Sequence, residues 1–211
     1  GQFDRGEKTL GGIKVSDGLN VTETAKDGTY TLPGHARQRF IFITTPSGYK
    51  TLNKHYHKID SRTNGYDFGL LTYHPGIGKD GSHQYVHVSD TEIFNTEGNE
   101  VWVKNIREYA ANENAAFIIH TGDICYENGM KKHIKLMNTE NMNVPVFYCI
   151  GNHDLVKGKY GEEVFENNYG PVYYSFDVAN VHYIVTPMPG GDHKPGYTRL
   201  DVCRWLKNDL A

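Results

Sequence analysis

The spacing of hydrophobic and polar positions changes near residue 75. Before it, short β-type runs are cut by Gly, Pro and Asp. One holds Ile13-Lys14-Val15-Ser16 ahead of Asp17-Gly18, and a second holds Thr29-Tyr30-Thr31-Leu32 between Asp27-Gly28 and Pro33. Arg39–Thr44 and Tyr66–Leu71 follow. Asp-Gly pairs between β-branched or aromatic runs are turn chemistry, because glycine takes a positive φ at no steric cost. About four to six strands in residues 1–74 predict a small β-sandwich. Pro75-Gly76-Ile77-Gly78-Lys79-Asp80-Gly81 predicts a linker over 75–82.

From residue 83 to 211 the period alternates between strand and helix. Tyr85–Ser89 predicts a strand, and 98–112 a helix with Trp102, Ile106, Tyr109 and Ala110 on one face. Ala115–His120 is a continuous apolar run, the pattern of a strand buried on both faces. A weaker helical pattern spans 129–141, and Val144–Ile150 predicts a third strand. This β-α-β-α-β order predicts a parallel sheet with crossover helices, so the fold class is α/β. Val172–Phe176 and Val181–Val185, split by Asp177-Val178-Ala179-Asn180, predict an antiparallel hairpin. Leu200, Cys203, Leu206 and Leu210 form a helical stripe over 198–211.

Composition narrows the function classes. Lys and Arg number 22 against 25 Asp and Glu, a net charge of -3. That balance gives no strong nucleic-acid signal and excludes a polybasic membrane anchor. No apolar run approaches the ~18 residues that would predict a membrane span. The three cysteines, Cys125, Cys149 and Cys203, are widely spaced and include no CxxC pair, so they are expected to be buried free thiols rather than a disulfide scaffold or thiolate zinc site.

The chemistry lies at the strand ends. The three parallel strands run into Ser89-Asp90-Thr91-Glu92, Thr121-Gly122-Asp123 and Gly151-Asn152-His153-Asp154. Asp90 and Asp123 are 33 positions apart, and Asp123 and Asn152 are 29, each one strand–helix–strand repeat. In an open α/β sheet, ligands bind beyond the carboxyl ends of the strands, so these clusters are expected to meet. Two carboxylates, an amide oxygen and an imidazole on one rim are costly to gather unless something positive joins them. A pair of metal ions bridged by one carboxylate, about 3.5–4 Å apart, is the natural partner and suits phosphoryl transfer.

Asp90-x-Glu92, Gly122-Asp123-x-x-Tyr126 and Gly151-Asn152-His153-Asp154, in this order, resemble the calcineurin-like metallophosphoesterase superfamily. Val15-Ser16-Asp17-Gly18, Thr24-x-x-Asp27-Gly28-x-Tyr30-x-Leu32 and Pro46-Ser47-Gly48-Tyr49 resemble the N-terminal β-sandwich of a multidomain bacterial branch. The resemblance implies a β-sandwich followed by the first half of a four-layer α/β/β/α metallophosphoesterase domain. It implies two metal ions, of iron, manganese or zinc, with Asp90 on the first, Asp123 bridging and Asn152 on the second. His153 would stabilise the transition state or protonate the leaving oxygen, with Asp154 orienting its ring, and a metal-bound hydroxide would be the nucleophile. The substrate would be a phosphorylated compound of unstated class, and the location periplasmic or secreted in a bacterium.

Two departures follow. Glu92 stands where most of the superfamily has a histidine, while Tyr126 matches a phenolate ligand of purple acid phosphatases; one of them is expected to complete the first metal's shell. The family also draws ligands from histidine motifs beyond a helix like Arg199–Leu210, and the chain ends at Ala211 within that helix. The resemblance therefore implies the N-terminal part of a longer enzyme, inactive alone, whose partner is the C-terminal part of the same polypeptide. The alternative is a catalytically incomplete fragment acting only as a binding or interaction module. His182 is expected to be a core or hairpin residue, His120 a packing residue, and His55 and His57 loop surface.

Overall fold

Residues 6–92, 98–124 and 126–211 are described by a computed structural model. The N-terminal region is built from β1 (Lys14–Ser16), β2 (Val21–Glu23), β3 (Phe40–Ile43), β4 (Tyr49–Thr51), β5 (Tyr56–Lys58) and β6 (Leu70–Thr72). Four of these form an antiparallel sheet in the order β2-β1-β3-β5, and β4 pairs with β6 in a separate ribbon. The alternating run at 27–33 forms no strand. Tyr30 and Leu32 still pack on the Val15, Ile41 and Ile43 core, and Tyr30 donates a 2.8 Å hydrogen bond to Tyr66 O. Apolar alternation is satisfied there by packing, without a ladder.

β7 (Val86–Val88), α1 (Asn99–Asn112), β8 (Ile118–His120), α2 (Glu127–Leu136), α3 (Thr139–Met142) and β9 (Val146–Tyr148) make the predicted parallel sheet, ordered β7-β8-β9. The weak helical pattern at 129–141 resolves into α2 and α3, with Asn138 capping α3 through a 2.9 Å bond from Asn141 N. Period-two alternation gives the sheet two buried faces. Ile118, Val146 and Tyr148 pack with Val103, Ala110, Met130 and Tyr169, whereas Phe117 and Phe147 face Phe176, Tyr174 and Trp205. The continuous apolar run of the second strand reflects this double burial.

α4 (Glu163–Tyr169), β10 (Tyr174–Val178), β11 (Val181–Val185) and α5 (Arg199–Asp209) complete the chain. Val178 pairs with Val181, so the hairpin turn is only Ala179-Asn180 rather than four residues, with Ala179 at φ 53°. α5 starts with a capping box in which Thr198 and Asp201 satisfy each other's backbone N–H.

β3 joins the two regions. Ile41 and Ile43 point into the N-terminal core, and Phe40 and Phe42 into the core of Phe117, Phe147, Tyr174 and Trp205. Arg39 reaches Glu162 Oε1 at 2.8 Å and Glu166 Oε1 at 2.7 Å, and both carboxylates are buried. Burial lifts the Glu166 pKa to about 7; Arg39 pulls it down, and the neighbouring Glu162 charge adds to the rise.

His182 sits in the hairpin as expected, its ring bridging Asp177 Oδ1 at 2.6 Å and Asp209 Oδ2 at 2.9 Å. His55 does not lie on a loop surface. Its ring is enclosed 4.5 Å from the Tyr174 ring, and burial holds its pKa down to about 3, so it is neutral. Cys203 is exposed and Cys149 half-buried, contrary to the expected burial; Cys125 lies outside the described residues. No helix among the described residues is long and apolar enough to cross a membrane.

Candidate functional site

The register of the parallel sheet puts Val88, His120 and Tyr148 on one line across the strands. Asp90, Asp123, Asn152 and His153 follow that line by two to five positions, so all leave the sheet at the same rim. Backbone hydrogen bonds then stitch the loops together. Asp90 N donates to Gly122 O at 3.1 Å and Glu92 N to Asp123 O at 3.3 Å. His153 N donates to Asp123 Oδ1 at 3.2 Å.

Two glycines permit this approach. A Cβ on Gly122 would stand 2.3 Å from Gly151 N, and one on Gly151 would stand 2.1 Å from Asp123 Oδ1 and 2.3 Å from Asp123 N. The second and third loops touch backbone to backbone. The strain is concentrated here as well. Asp90 (φ 53°), Glu92 (φ 41°), Asp123 (φ 52°) and Tyr126 (φ 55°) all adopt positive φ, at about 1–3 kcal/mol per non-glycine residue. Such conformations persist where surrounding contacts fix them, commonly at ligand sites.

His120 braces the rim from below. It is fully buried, and its Nδ1 accepts from Gly122 N at 3.2 Å, so Nε2 carries the proton and donates to Thr91 Oγ1 at 3.0 Å. Burial holds its pKa down to about 4, keeping this tautomer neutral. The ring thereby ties the turn carrying Asp90 and Glu92 to the turn carrying Asp123.

Asp154 is fully buried and accepts from Gly151 N at 2.9 Å, closing the third loop on itself. The carboxylate found on the ring of His153 is that of Asp192, whose Oδ2 lies 2.8 Å from Nδ1. That hydrogen bond and the Asp192 charge raise the His153 pKa against slight burial, with Asp123 and Glu92 adding to the effect. Sequence spacing does not reveal Asp192, 39 positions from His153 in an irregular loop; its one signal is the Gly190-Gly191-Asp192 turn after a strand. Tyr126 begins α2 and is half exposed, and Glu92 is exposed at the rim.

The donor chemistry fits a metal. Two carboxylates and an amide oxygen on three touching loops are hard ligands for a divalent or trivalent cation. Asp123 Oδ1 packs so closely on the Gly151 backbone that a Cβ there would stand 2.1 Å from it, and it accepts from His153 N. Among the described residues, no group of three or more His, Cys, Asp or Glu side chains is gathered closely enough to hold an ion. Asn152, and a phenol or further donors, would therefore have to share in any shell.

Residues 83–206 match the family model described as Calcineurin-like phosphoesterase, and residues 1–72 match N terminal of Calcineurin-like phosphoesterase. No curated protein matches the chain. The rim of three stitched loops thus coincides with the segment of family likeness, and the chain belongs to the calcineurin-like phosphoesterases, a family of metal-dependent phosphoester hydrolases.

Proposed function

We propose that this site hydrolyses phosphate esters at a dinuclear metal centre. The observation that carries the reading is the convergence of Asp90, Asp123, Asn152 and His153 on one rim through touching, strained loops. Asp90 would hold the first ion, Asp123 both and Asn152 the second, with Tyr126 or Glu92 completing the first shell. The ions, of iron, manganese or zinc, would supply positive charge for the phosphoryl group and bring the pKa of water towards neutrality, making hydroxide the nucleophile.

The chain's own groups have separate tasks. The Asp123 carboxylate is oriented by His153 N–H, and the N–H of Gly151 is held by Asp154, so the third loop is fixed before substrate arrives. His153, with Nδ1 on Asp192, uses its second ring nitrogen, Nε2, to protonate the leaving oxygen. A general acid of this kind contributes about 10²–10⁴-fold.

Two ions need about eight to twelve donors between them, counting water and substrate, from tetrahedral zinc to octahedral manganese or iron. The rim supplies two carboxylates and an amide, with Tyr126 and Glu92 as further candidates. Residues 1–211 alone are therefore expected to turn over weakly or not at all, and the activity to belong to the complete polypeptide. The resemblance of the N-terminal region to its bacterial branch favours a periplasmic or secreted location.

The test is hydrolysis of p-nitrophenyl phosphate and bis(p-nitrophenyl) phosphate by the complete polypeptide loaded with each metal. Asp123→Asn should lose at least about 100-fold in kcat/KM, since it removes the bridging charge. Absence of hydrolysis in the parent protein with every metal, or an Asp123→Asn variant of parental activity, would overturn the reading.

A further inference from the structure

From the placement of the 190–192 loop we propose that Asp192 is the positioning residue for His153, fixing the imidazole so that Nε2 faces the leaving group of the substrate. The inference rests on phosphoester hydrolysis at this rim and extends it to a residue outside the strand-end motifs. Two contacts dock the loop on the His153 loop. Asp192 Oδ2 lies 2.8 Å from His153 Nδ1, and Asp192 N donates to Asn152 O at 3.1 Å. One carboxylate and its own backbone thus grip consecutive residues of the motif.

Glycine makes the grip possible. A Cβ on Gly191 would stand 2.5 Å from Asn152 O and 2.6 Å from Leu155 Cδ1, so any larger residue would lift the loop. By contrast, a Cβ on Gly190 would meet nothing within 4 Å. The close fit is therefore local to the residue that delivers Asp192.

A carboxylate only accepts hydrogen bonds, so the neutral ring carries its proton on Nδ1 and Nε2 is left for the substrate. In hydrolysis the bond from phosphorus to the leaving oxygen breaks as one forms to the oxygen of water. The leaving oxygen takes the proton of Nε2 from the cationic ring, and the proton given up by water restores it. Asp192 holds the ring throughout and touches none of the reacting atoms.

This role predicts dependence on the leaving group. An ester of an acidic phenol needs no proton on departure, whereas phenyl phosphate does. In the complete metal-loaded polypeptide, Asp192→Ala should lower kcat/KM for phenyl phosphate at least about tenfold more than for 2,4-dinitrophenyl phosphate. Asp192→Glu, which keeps an accepting carboxylate on the exposed loop, should recover much of that difference. Gly191→Ala should reproduce the defect with Asp192 still present.

A second readout needs no catalysis. Long-range ¹H–¹⁵N spectra of the metal-free protein, taken above the His153 pKa, should report the Nδ1–H tautomer in the parent and Nε2–H in Asp192→Ala. Equal losses on both esters, or an unchanged tautomer, would overturn the positioning role. A parent protein inactive on both esters would instead refute the hydrolase reading, while the tautomer would still test the pair.

Discussion

Gly151→Ala probes the contact on which the rim is built. The new methyl would stand 2.3 Å from Asp123 N and 2.1 Å from Asp123 Oδ1, where ordinary contact begins near 3.4 Å. The two loops must part by about 1 Å to accommodate it. Gly151 is not in a left-handed conformation, so the effect is purely one of space, unlike at Gly122 with φ 99°. Overpacking of this kind costs about 1–3 kcal/mol. At about 2–4 °C per kcal/mol for a chain of this size, Tm should fall by about 2–12 °C. The 3.2 Å bond from His153 N to Asp123 Oδ1 has no slack for such a movement. A 1 Å misplacement of catalytic groups costs about 100-fold in rate, so kcat/KM should fall by that order. Thermal unfolding of residues 1–211 and p-nitrophenyl phosphate kinetics of the complete polypeptide would read the two effects. Gly65→Ala is the control: it meets nothing within 4 Å and should be neutral or slightly stabilising. A Gly151→Ala protein with the parental midpoint and turnover would refute the claim that backbone contact sets the site.

Other outcomes follow from buried polar groups. The Glu166 pKa is raised from 4.5 to about 7, so its folded-state preference for the proton is fully felt below pH 4.5 and is lost as pH rises through 7. Unfolding free energies from urea titrations should accordingly fall between pH 4.5 and 7 by an amount on the order of 3 kcal/mol, and Glu166→Gln should remove that slope. For His182, burial opposes protonation but the Asp177 and Asp209 carboxylates outweigh it and raise the pKa above 6.5. Its stabilisation is complete below pH 6.5 and fades above, so His182→Ala should flatten the stability profile only on the alkaline side; an unchanged profile there would contradict the bridge. The Tyr174 hydroxyl serves both the N–H and the C=O of Tyr148, at 2.8 and 2.9 Å. Tyr174→Phe should therefore cost about 1–3 kcal/mol, and an unshifted urea midpoint would show that other groups satisfy the β9 edge.

The parallel sheet was legible because double burial writes a continuous apolar run at Ala115–His120, and α1 because Trp102, Ile106 and Ala110 repeat at helical spacing, although Tyr109, expected on the same face, is exposed. The meeting of the three strand ends was legible because Asp90, Asp123 and Asn152 are each one strand–helix–strand repeat apart. Elsewhere tertiary contacts replaced local signals. α4 has little apolar periodicity; it is held by Phe165 and Tyr169 and by the pairing of Glu166 with Arg39, 127 positions away. The hairpin turn is shorter than its sequence predicts because Ala179 takes a left-handed conformation that alanine rarely adopts. His55, just before β5, reads as loop surface in sequence, and the distant rings of Tyr174 and Phe147 enclose it. Asp192 is alike: beyond the Gly190-Gly191 turn, nothing local marks the distant backbone that it reaches.

The double burial of β3 has a consequence for sequence change. Its aromatic pair and its aliphatic pair alternate, and each set fills a differently shaped core. A single-residue insertion in this strand would exchange the sets, driving isoleucines towards Trp205 and phenylalanines into the small cluster around Val15. Neither side has water to absorb the error. Length variation between the N-terminal region and the catalytic segment is therefore expected in the loops that flank β3 and not within it, so that these four positions act as a fixed reading frame for both halves.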